Sequence, residues 1–469
     1  MFSTKIGPTG KLVGYLRPEL AQGIFLNFKR LLNYNNGNMP FGAAVIGQAF
    51  RNEISPRAGL LRVREFSLAE IEYFINPEDK TFKKFKNIKN LKVSFFPRES
   101  QMNKTGVIEM TIGDALEKGI LNNETHAYFI GRTYQFVISC GLIPDGIRFR
   151  QHLATEMAHY ATDCWDCELL TSYGWIECVG LADRSAYDLS VHAKATNEDL
   201  TAFEPYKEPI VYHVLEFSEK KGGIGKSFGK DSKKIQEFLK SSSEEQMKIY
   251  QKDLEEKKET EIKIEEQTFK ITDKMCEFKM VKKIEGGKSY IPSVIEPSFG
   301  IGRIIYAVLE HAYWVREDEE KEKKSKKKGE KEIERTVLSL TPEISPFKAA
   351  ILPLQKDSKF DDHIEKIRKK LTSHGISYRL DDSNVKIGRR YARTDEIGIP
   401  FGITIDFDSV TNDDYTLRDR DSCTQIRAKL DDIVRIIQQL VLSETTWDNI
   451  LKEFPNQSQT ASEKVGLKE

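Results

Sequence analysis

Residues Phe50–Phe74 have the sequence FRNEISPRAGLLRVREFSLAEIEYF. Two short runs of alternating apolar residues flank a segment that contains Ser55, Pro56 and Gly59. Alternation on both sides of a Pro/Gly segment is typical of two antiparallel strands joined by a loop. The sequence therefore predicts a β-hairpin at this position.

Charged and aromatic side chains recur on one face of the predicted hairpin. Arg51 and Glu53 are two residues apart, so on a strand they point to the same side. Arg62, Arg64 and Phe66 repeat this spacing on the return strand. A guanidinium can hold a phosphate, a carboxylate can accept from an amino group, and a ring can stack on a purine. The alternative is a surface hairpin with cross-strand ion pairs, but the recurrence of all three groups favours a nucleotide site.

The bulk composition is that of an ordinary globular protein. The 469 residues allow roughly two to four domains. Acidic and basic residues balance at 72 each, so net charge neither favours nor excludes a polyanionic partner. No apolar run is long enough to span a membrane, and the first residues, MFSTKIGPTGK, lack the core of a signal peptide. We expect a cytoplasmic protein, and a mitochondrial form stays open.

The six cysteines show no disulfide framework. Cys164 and Cys167 form a single CxxC, with His152 and His159 upstream. A structural zinc site requires four ligands at matched spacing, and here the intervals are irregular. Ordinary core thiols and histidines are favoured over a zinc site.

The hairpin resembles motif 2 of the class II aminoacyl-tRNA synthetases, specifically the eukaryotic and archaeal homodimeric glycyl-tRNA synthetases. Five further stretches resemble that family in the same order, and together they span most of the chain. They are YLRPELAQGIFLNFKRLL (Tyr15–Leu32), RFRQHLATEMAHYATDCWD (Arg148–Asp166), SYGWIECVGLADRSAYDLSVHAKAT (Ser172–Thr196), IEPSFGIGR (Ile295–Arg303) and GRRYARTDEIGIPFGITID (Gly388–Asp406).

The resemblance implies an α+β fold: an antiparallel-sheet catalytic domain with insertions, followed by an α/β anticodon-binding domain. The expected boundaries are 1–196 for the catalytic core, with an insertion at about 76–146, then 197–292 for an inserted subdomain, 293–340 for the end of the core with motif 3 and a charged loop, 345–450 for the anticodon-binding domain and 451–469 for a tail. The family also carries a preceding segment with motif 1, which forms the dimer interface. We expect this chain to lack that segment, which puts both its dimerisation and its activity in question.

Periodicity predicts the elements of the core. The expected helices are Leu20–Tyr34, Thr125–Cys140, Asp183–Ala193 and the segment from Arg303 to His311, and the expected strands are Phe41–Phe50, Ile147–Arg150 and Trp175–Gly180. The inserted subdomain is predicted to contain a helix around Lys233–Lys257 and strands at Thr260–Ile271 and Glu277–Lys283.

In the last domain, strands are predicted at Ala349–Pro353, Ser377–Asp381 and Phe401–Phe407, and helices at Asp361–His374, Gly388–Ile397 and Gln425–Leu442. The charged run Arg316–Arg335 is predicted to be a solvated or disordered loop.

The resemblance implies roles for individual residues in the binding of ATP with Mg²⁺. Arg51 and Arg303 are the implied catalytic residues, since Arg51 would hold the α-phosphate and Arg303 would stack on adenine opposite Phe66. Glu177 would face Mg²⁺; a charge inside a predicted buried strand is costly unless it is paired or binds metal. The full implied ATP site is Arg51, Asn52, Glu53, Arg62, Val63, Phe66, Glu177, Cys178 and Arg303.

The implied glycine site is Glu19, Glu70, Glu296, Pro297 and Ser298. Glycine has no side chain to recognise, so affinity must come from its two ends, and a filled pocket excludes larger amino acids. Another class II synthetase is a weaker alternative, because its pocket would not need three glutamates.

The implied reaction joins glycine to the 3′ end of tRNA(Gly) through a glycyl-adenylate. By resemblance alone, synthesis of diadenosine tetraphosphate is a further candidate activity. The alternative is a truncated, non-catalytic relative that binds RNA or a protein partner.

Two groups of arginines are candidate tRNA contacts. Arg148 and Arg150 share one strand face, which is either solvated or in contact with the acceptor end. In the last domain, Arg389, Arg390 and Arg393, with Arg418 and Arg420, form a locally basic region that suits RNA phosphates.

Overall fold

The computed structural model describes residues 1–316 and 335–457. Contacts divide the chain into two compact units, one made of Met1–Leu200 with Pro292–Glu469 and the other of Thr201–Ile291. The charged run predicted as a loop lies outside the described residues except for its ends, and so does most of the predicted tail.

The strands follow one another as β1 (Ser3–Ile6), β2 (Leu12–Tyr15), β3 (Phe41–Phe50), β4 (Glu65–Ile75), β5 (Lys92–Phe96), β6 (Ile108–Thr111), β7 (Ile147–Gln151), β8 (Asp163–Thr171), β9 (Gly174–Ser185), β10 (Ala202–Glu219), β11 (Glu259–Ile264), β12 (Gln267–Thr272), β13 (Cys276–Tyr290), β14 (Ser293–Gly300), β15 (Tyr313–Arg316), β16 (Arg335–Leu338), β17 (Ala349–Pro353), β18 (Tyr378–Leu380), β19 (Phe401–Ile405), β20 (Tyr415–Asp419) and β21 (Gln425–Ala428).

The α-helices are α1 (Ala21–Leu26), α2 (Phe28–Tyr34), α3 (Arg98–Asn103), α4 (Ile112–Glu117), α5 (Glu124–Ser139), α6 (Tyr187–Thr196), α7 (Gly223–Phe228), α8 (Ser232–Ser241), α9 (Glu244–Glu256), α10 (Ile301–Ala312), α11 (Asp361–Ser373), α12 (Ile387–Glu396), α13 (Phe407–Asn412), α14 (Leu430–Val441) and α15 (Trp447–Glu453). Within the described ranges, none of these helices combines the length and the apolar character that a bilayer crossing requires.

The core of the first unit is an eight-stranded sheet in the order β3-β4-β14-β9-β8-β7-β5-β6. All of its neighbouring strands are antiparallel except the pair β5 and β7. Helices α5 and α10 contribute apolar side chains to the main core cluster, together with the buried residues Phe95, Phe149 and Trp165 of the sheet. The segment 76–146 contributes β5 and β6 to one edge of the sheet, and α5 to the cluster.

The last domain has a five-stranded sheet in the order β18-β17-β19-β20-β21. Strand β17 pairs in parallel with β18 and β19, whereas β20 and β21 continue the sheet antiparallel. The predicted fold class, an antiparallel-sheet domain followed by an α/β domain, is confirmed.

The second unit has its own small core. Its long strands β10 and β13 form a two-stranded ribbon, and β11 and β12 form a hairpin. Buried side chains such as Ile235, Leu239 and Ile262 pack together. The predicted single helix around Lys233–Lys257 is wrong in one respect, because it is divided into α8 and α9 at Ser242 and Ser243.

The hairpin predicted at Phe50–Phe74 is present, but the charged residues next to its turn do not lie on strands. Strand β3 ends at Phe50 and β4 begins at Glu65. One more ladder bond, from Arg51 N–H to the Arg64 carbonyl, follows before the chain turns. Arg51, Glu53 and Arg62 therefore lie on a loop, where backbone direction and not strand alternation sets their side-chain directions.

Three helix predictions need correction. The helix expected from Leu20 to Tyr34 is interrupted at Asn27 and becomes α1 and α2. The helix expected from Asp183 begins at Tyr187, because Asp183 still belongs to β9. The helix expected from Gln425 begins at Leu430, because alternating burial makes Gln425–Ala428 a strand.

Arginines of the last domain are largely structural. Arg390 is completely buried, and its guanidinium donates to the carbonyls of Val385, Pro353, Asp381 and Leu354. The role in tRNA contact predicted for Arg390 is wrong for this reason, since its donors are already bound inside the domain.

Arg418 and Arg420 are also buried, which contradicts the prediction that they belong to a basic surface. Arg418 makes two bonds to the carboxylate of Asp395, and Arg420 donates to the carbonyls of Gly398 and Leu340. Arg389 and Arg393 are exposed.

Arg390→Ala is expected to lower the free energy of unfolding by about 3 kcal/mol or more, because buried carbonyls lose their donors. Arg389→Ala, one residue earlier and exposed, should change it by less than about 0.5 kcal/mol. Urea denaturation of both variants measures the difference. Equal stabilities of the two variants would contradict the structural role of Arg390.

Candidate active site

A cleft of about 450 Å³ opens above the central sheet. Its floor includes a row of register neighbours that crosses four strands: Glu70 on β4, Ser298 on β14, Gly180 on β9 and Asp166 on β8. A Cβ at Gly180 would meet no atom within 4 Å. The glycine therefore keeps space open above the middle of the floor.

The cleft collects most of the residues predicted for the site. From those predictions it is lined by Glu19, Arg51, Glu53, Arg62, Val63, Phe66, Glu70, Glu177, Cys178, Glu296, Ser298 and Arg303. Asn52 and Pro297 are not among its lining residues.

One end of the cleft is basic and aromatic. The guanidinium carbon of Arg51 lies 5.4 Å from the centroid of the Phe66 ring. Arg303, in the first turn of α10, donates to the carbonyls of Leu61 and Glu177 at 3.2 and 2.7 Å. These bonds connect the hairpin loop to β9, so Arg303 has a fixed direction. The arrangement can hold a flat ring and an anionic group together.

The hairpin loop is held by its own contacts. Arg64 Nε donates to the Glu53 carbonyl at 2.9 Å, and Arg62 Nε lies 3.8 Å from a Glu53 carboxylate oxygen. The loop therefore presents both charges of the Arg62–Glu53 pair to the cleft.

The other end of the cleft is acidic, and Glu70 is its first member. One oxygen of this buried carboxylate accepts from the backbone N–H groups of Leu20 and Ala21 at 2.7 and 2.8 Å, where α1 begins. The other oxygen accepts from Ser298 Oγ at 3.1 Å. Burial raises the pKa of Glu70, and these hydrogen bonds oppose the shift. Glu70 thus fixes the start of α1 against the sheet.

Arg184 is the cation of the acidic end. It is buried, donates to both oxygens of Asp188, and donates to Glu296 at 3.0 Å. Its guanidinium lies 3.9 Å from the centroid of the Tyr160 ring and 3.7 Å from a Glu19 oxygen. Burial raises the pKa of Glu296 to about 7, although Arg184 opposes this shift.

The sequence predictions missed Arg184, Asp188 and Glu72. Glu72, two residues after Glu70, is completely buried beside Glu70 and Glu296. The available signal was the one used for Glu177: a charge within or at the end of an apolar strand needs a partner. Arg184 and Asp188 lie four residues apart across the end of β9, and each is the charged partner that the other needs.

The prediction that Glu177 is a charge buried inside a strand is wrong. The Glu177 side chain is 54% exposed, because a register shift between β8 and β9 turns it out of the sheet. Its carboxylate lies 3.6 Å from the Arg303 guanidinium. The neighbouring Cys178 is buried, and burial raises the pKa of its thiol to about 12.

The cysteines of the CxxC do not face each other. Cys164 lines the cleft, whereas Cys167 is packed in the main core. His152 accompanies Cys164, and its Nε2 lies 2.9 Å from an Asp166 oxygen and 3.8 Å from Cys164 Sγ. Cys164 and Cys167 therefore cannot bind the same zinc ion. A zinc site that uses the two cysteines of the CxxC is incompatible with this geometry.

Comparison with known families agrees with this architecture. The family described as tRNA synthetase class II core domain (G, H, P, S and T) matches residues 11–312, and the family described as anticodon binding domain matches residues 348–440. The fold is that of a class II aminoacyl-tRNA synthetase, with its core followed by an anticodon-binding domain.

Comparison with individual proteins identifies one family within this class. The chain is 45% identical over 97% of its length to glycine–tRNA ligase 1, mitochondrial, of Saccharomyces cerevisiae, 44% over 99% to a glycine–tRNA ligase of Caenorhabditis elegans, and 43% over 94% to one of Methanocaldococcus jannaschii. It spans 64%, 61% and 74% of those proteins. The chain belongs to the glycine–tRNA ligase family, as the sequence predicted.

The raised pKa of Glu296 predicts how stability depends on pH. Between the usual carboxyl value and about 7, the folded protein holds a proton that the unfolded chain has lost, so stability falls as pH rises through this window. Between pH 5 and pH 8 the wild type should lose about 2.5 kcal/mol more than Glu296→Gln, which has no proton to lose. Urea unfolding at both pH values measures this, and parallel losses in the two proteins would contradict the assignment.

Proposed function

We propose that this chain activates glycine with ATP and transfers it to tRNA. The observation that carries the proposal is the polarity of the cleft. An acidic pocket around Glu296 and Glu70 opens directly onto a basic, aromatic region that contains Arg51, Phe66 and Arg303. An ammonium ion fits the first region and a purine with phosphates fits the second.

The first step requires alignment and charge neutralisation more than a protein nucleophile. The glycine carboxylate attacks the α-phosphorus of ATP, the new C–O–P bond forms, and pyrophosphate leaves with the electrons of the broken P–O bond. Arg51 would neutralise the charge that develops on the α-phosphate, and Arg303 with Phe66 would hold adenine between them. The thiols in the cleft suit no nucleophilic role, because burial raises the pKa of both Cys164 and Cys178.

Glycine would be held at both ends. Glu296 and Glu19 would accept from its ammonium group, while Ser298 donates a hydrogen bond to Glu70 and lies beside Gly180. Gly180 leaves room for the substrate itself, and the buried side chains around it would exclude a larger amino acid.

ATP would bring Mg²⁺ with it. Glu177 fits this ion as an exposed carboxylate beside the proposed adenine site, because Mg²⁺ in such sites takes few protein ligands and keeps phosphate oxygens and water. The ion would neutralise phosphate charge, while Arg51 and Arg303 orient the nucleotide.

The tRNA would contact the last domain at its anticodon, as the match to an anticodon-binding family suggests. Arg389 and Arg393 are exposed on α12 and remain candidate phosphate contacts. Arg148 and Arg150 both donate to Glu168, and Arg150 donates also to Glu156. These internal bonds favour a structural role over contact with the acceptor end.

We also propose a homodimer. Strand β3 is an edge of the eight-stranded sheet, and Ile46 on it is 75% exposed. An exposed apolar edge strand is a surface that proteins normally cover, and a second copy of the chain is the partner proposed here. Location in the cytoplasm and synthesis of diadenosine tetraphosphate stay predictions from sequence.

The test is glycine-dependent exchange of pyrophosphate into ATP by this chain of 469 residues. Exchange is expected with glycine and not with alanine or serine, because a pocket that closes around glycine would exclude a larger side chain. Absence of exchange with retained tRNA binding would replace this proposal with that of a non-catalytic relative.

Matched variants of the hairpin loop locate the reaction in the cleft. Arg51→Ala should lower kcat/KM for exchange about 10²- to 10³-fold, the cost of removing one donor aimed at developing charge. Arg57→Ala is the control, because Arg57 is exposed on the same loop and does not line the cleft. Equal rates for the two variants would place the chemistry elsewhere.

A further inference from the structure

A carboxyl group without a partner lies at the acidic end of the cleft. Glu72 is 0% exposed, and neither of its side-chain oxygens has a hydrogen-bond partner among the residues that the structure describes. It does not line the cleft. Single oxygens of Glu70, Glu72 and Glu296 lie within 4.8 Å of one another. An unpaired carboxylate in this position would cost several kcal/mol, which favours the neutral acid.

The charges around Glu72 come from every element that faces it. The groups that act on Glu72 are Glu70 on its own strand β4, Glu296 on β14, Arg184 on β9 and Asp188 on α6. Glu19, which precedes α1, lies 3.7 Å from Arg184. A single cation thus serves several carboxyl groups, and Arg184 already divides its donors between Asp188 and Glu296. Burial and the nearby Glu296 raise the pKa of Glu72 well above the usual carboxyl range.

We propose that Glu72 carries a proton while the glycine pocket is empty and releases it when the ammonium group of glycine enters. The inference rests on the proposed function, since it describes the same pocket. Glu72 is a positioning residue, because it acts through Glu296 and does not line the cleft. At the acidic end one positive charge arrives with the ammonium group, while the carboxylate of glycine lies at its other end, and one proton leaves from the carboxyl O–H to solvent.

This release of a proton makes glycine affinity depend on pH. Where Glu72 is protonated in the empty pocket and ionised in the occupied one, affinity rises about tenfold for each pH unit. Glu296 could release a proton as well, but its pKa is about 7. Comparison of the wild type with Glu72→Gln therefore separates the two residues, because the substitution leaves Glu296 in place.

The experiment is titration calorimetry of the chain with glycine at pH 8, in two buffers that differ in ionisation enthalpy. The wild type is expected to release more protons for each glycine bound than Glu72→Gln does. Glu117→Gln is the matched control, since Glu117 is exposed on α4 and should leave the release unchanged.

The outcomes distinguish the two proposals. Absence of any glycine binding would overturn the proposed function. Binding without proton release in the wild type, or equal release in Glu72→Gln, would overturn the inference and leave the function standing.

A second measurement covers the case in which Glu72→Gln does not fold. Infrared difference spectra of the wild type at pH 8 should show the loss of a protonated-carboxyl C=O band when glycine is added. An unchanged carboxyl band would count against the release of a proton.

Discussion

The buried guanidinium of Arg184 is the contact on which the acidic end of the cleft depends. It joins the end of β9 to α6 through Asp188 and to β14 through Glu296, and it lies 5.3 Å from the centroid of the Phe25 ring on α1. A buried charge of this kind costs several kcal/mol in lost hydration and persists only with its partners in place. Its geometry therefore fixes four elements relative to one another, which a loose apolar contact would not do.

Glu70 complements this contact from the other side. Its carboxylate accepts the first N–H groups of α1, which no residue of the helix itself can satisfy. An anion at a helix start is also stabilised by the helix dipole. The helix, the sheet and the pocket are thus held by the same few carboxylates, and a site built in this way is preorganised for a small cation.

The sequence predicted much of this architecture. The run of small apolar residues placed β3 correctly at Phe41–Phe50, and the helix expected from Arg303 to His311 is present but begins two residues earlier, at Ile301. The long matching stretches identified the family, and most of the residues that they implied line one cleft. These features depend on local pattern or on extended motifs, which a sequence shows directly.

Burial of single charges could not be predicted in the same way. Arg390 and Arg389 are neighbours on α12, yet one is enclosed and the other exposed. Glu177 and Arg184 lie on the same strand, and only the register shift beside Glu177 turns it outward. Such outcomes depend on contacts between residues far apart in the chain, which periodicity does not contain.

The central claim is that one cleft holds the whole glycyl-adenylate. A crystal structure of the chain with a non-hydrolysable glycyl-adenylate analogue tests it most directly. The account predicts the adenine ring between Phe66 and Arg303 and the ammonium group within hydrogen-bond distance of Glu296. An analogue bound with its ammonium group away from the carboxylates, or outside the cleft, would contradict it.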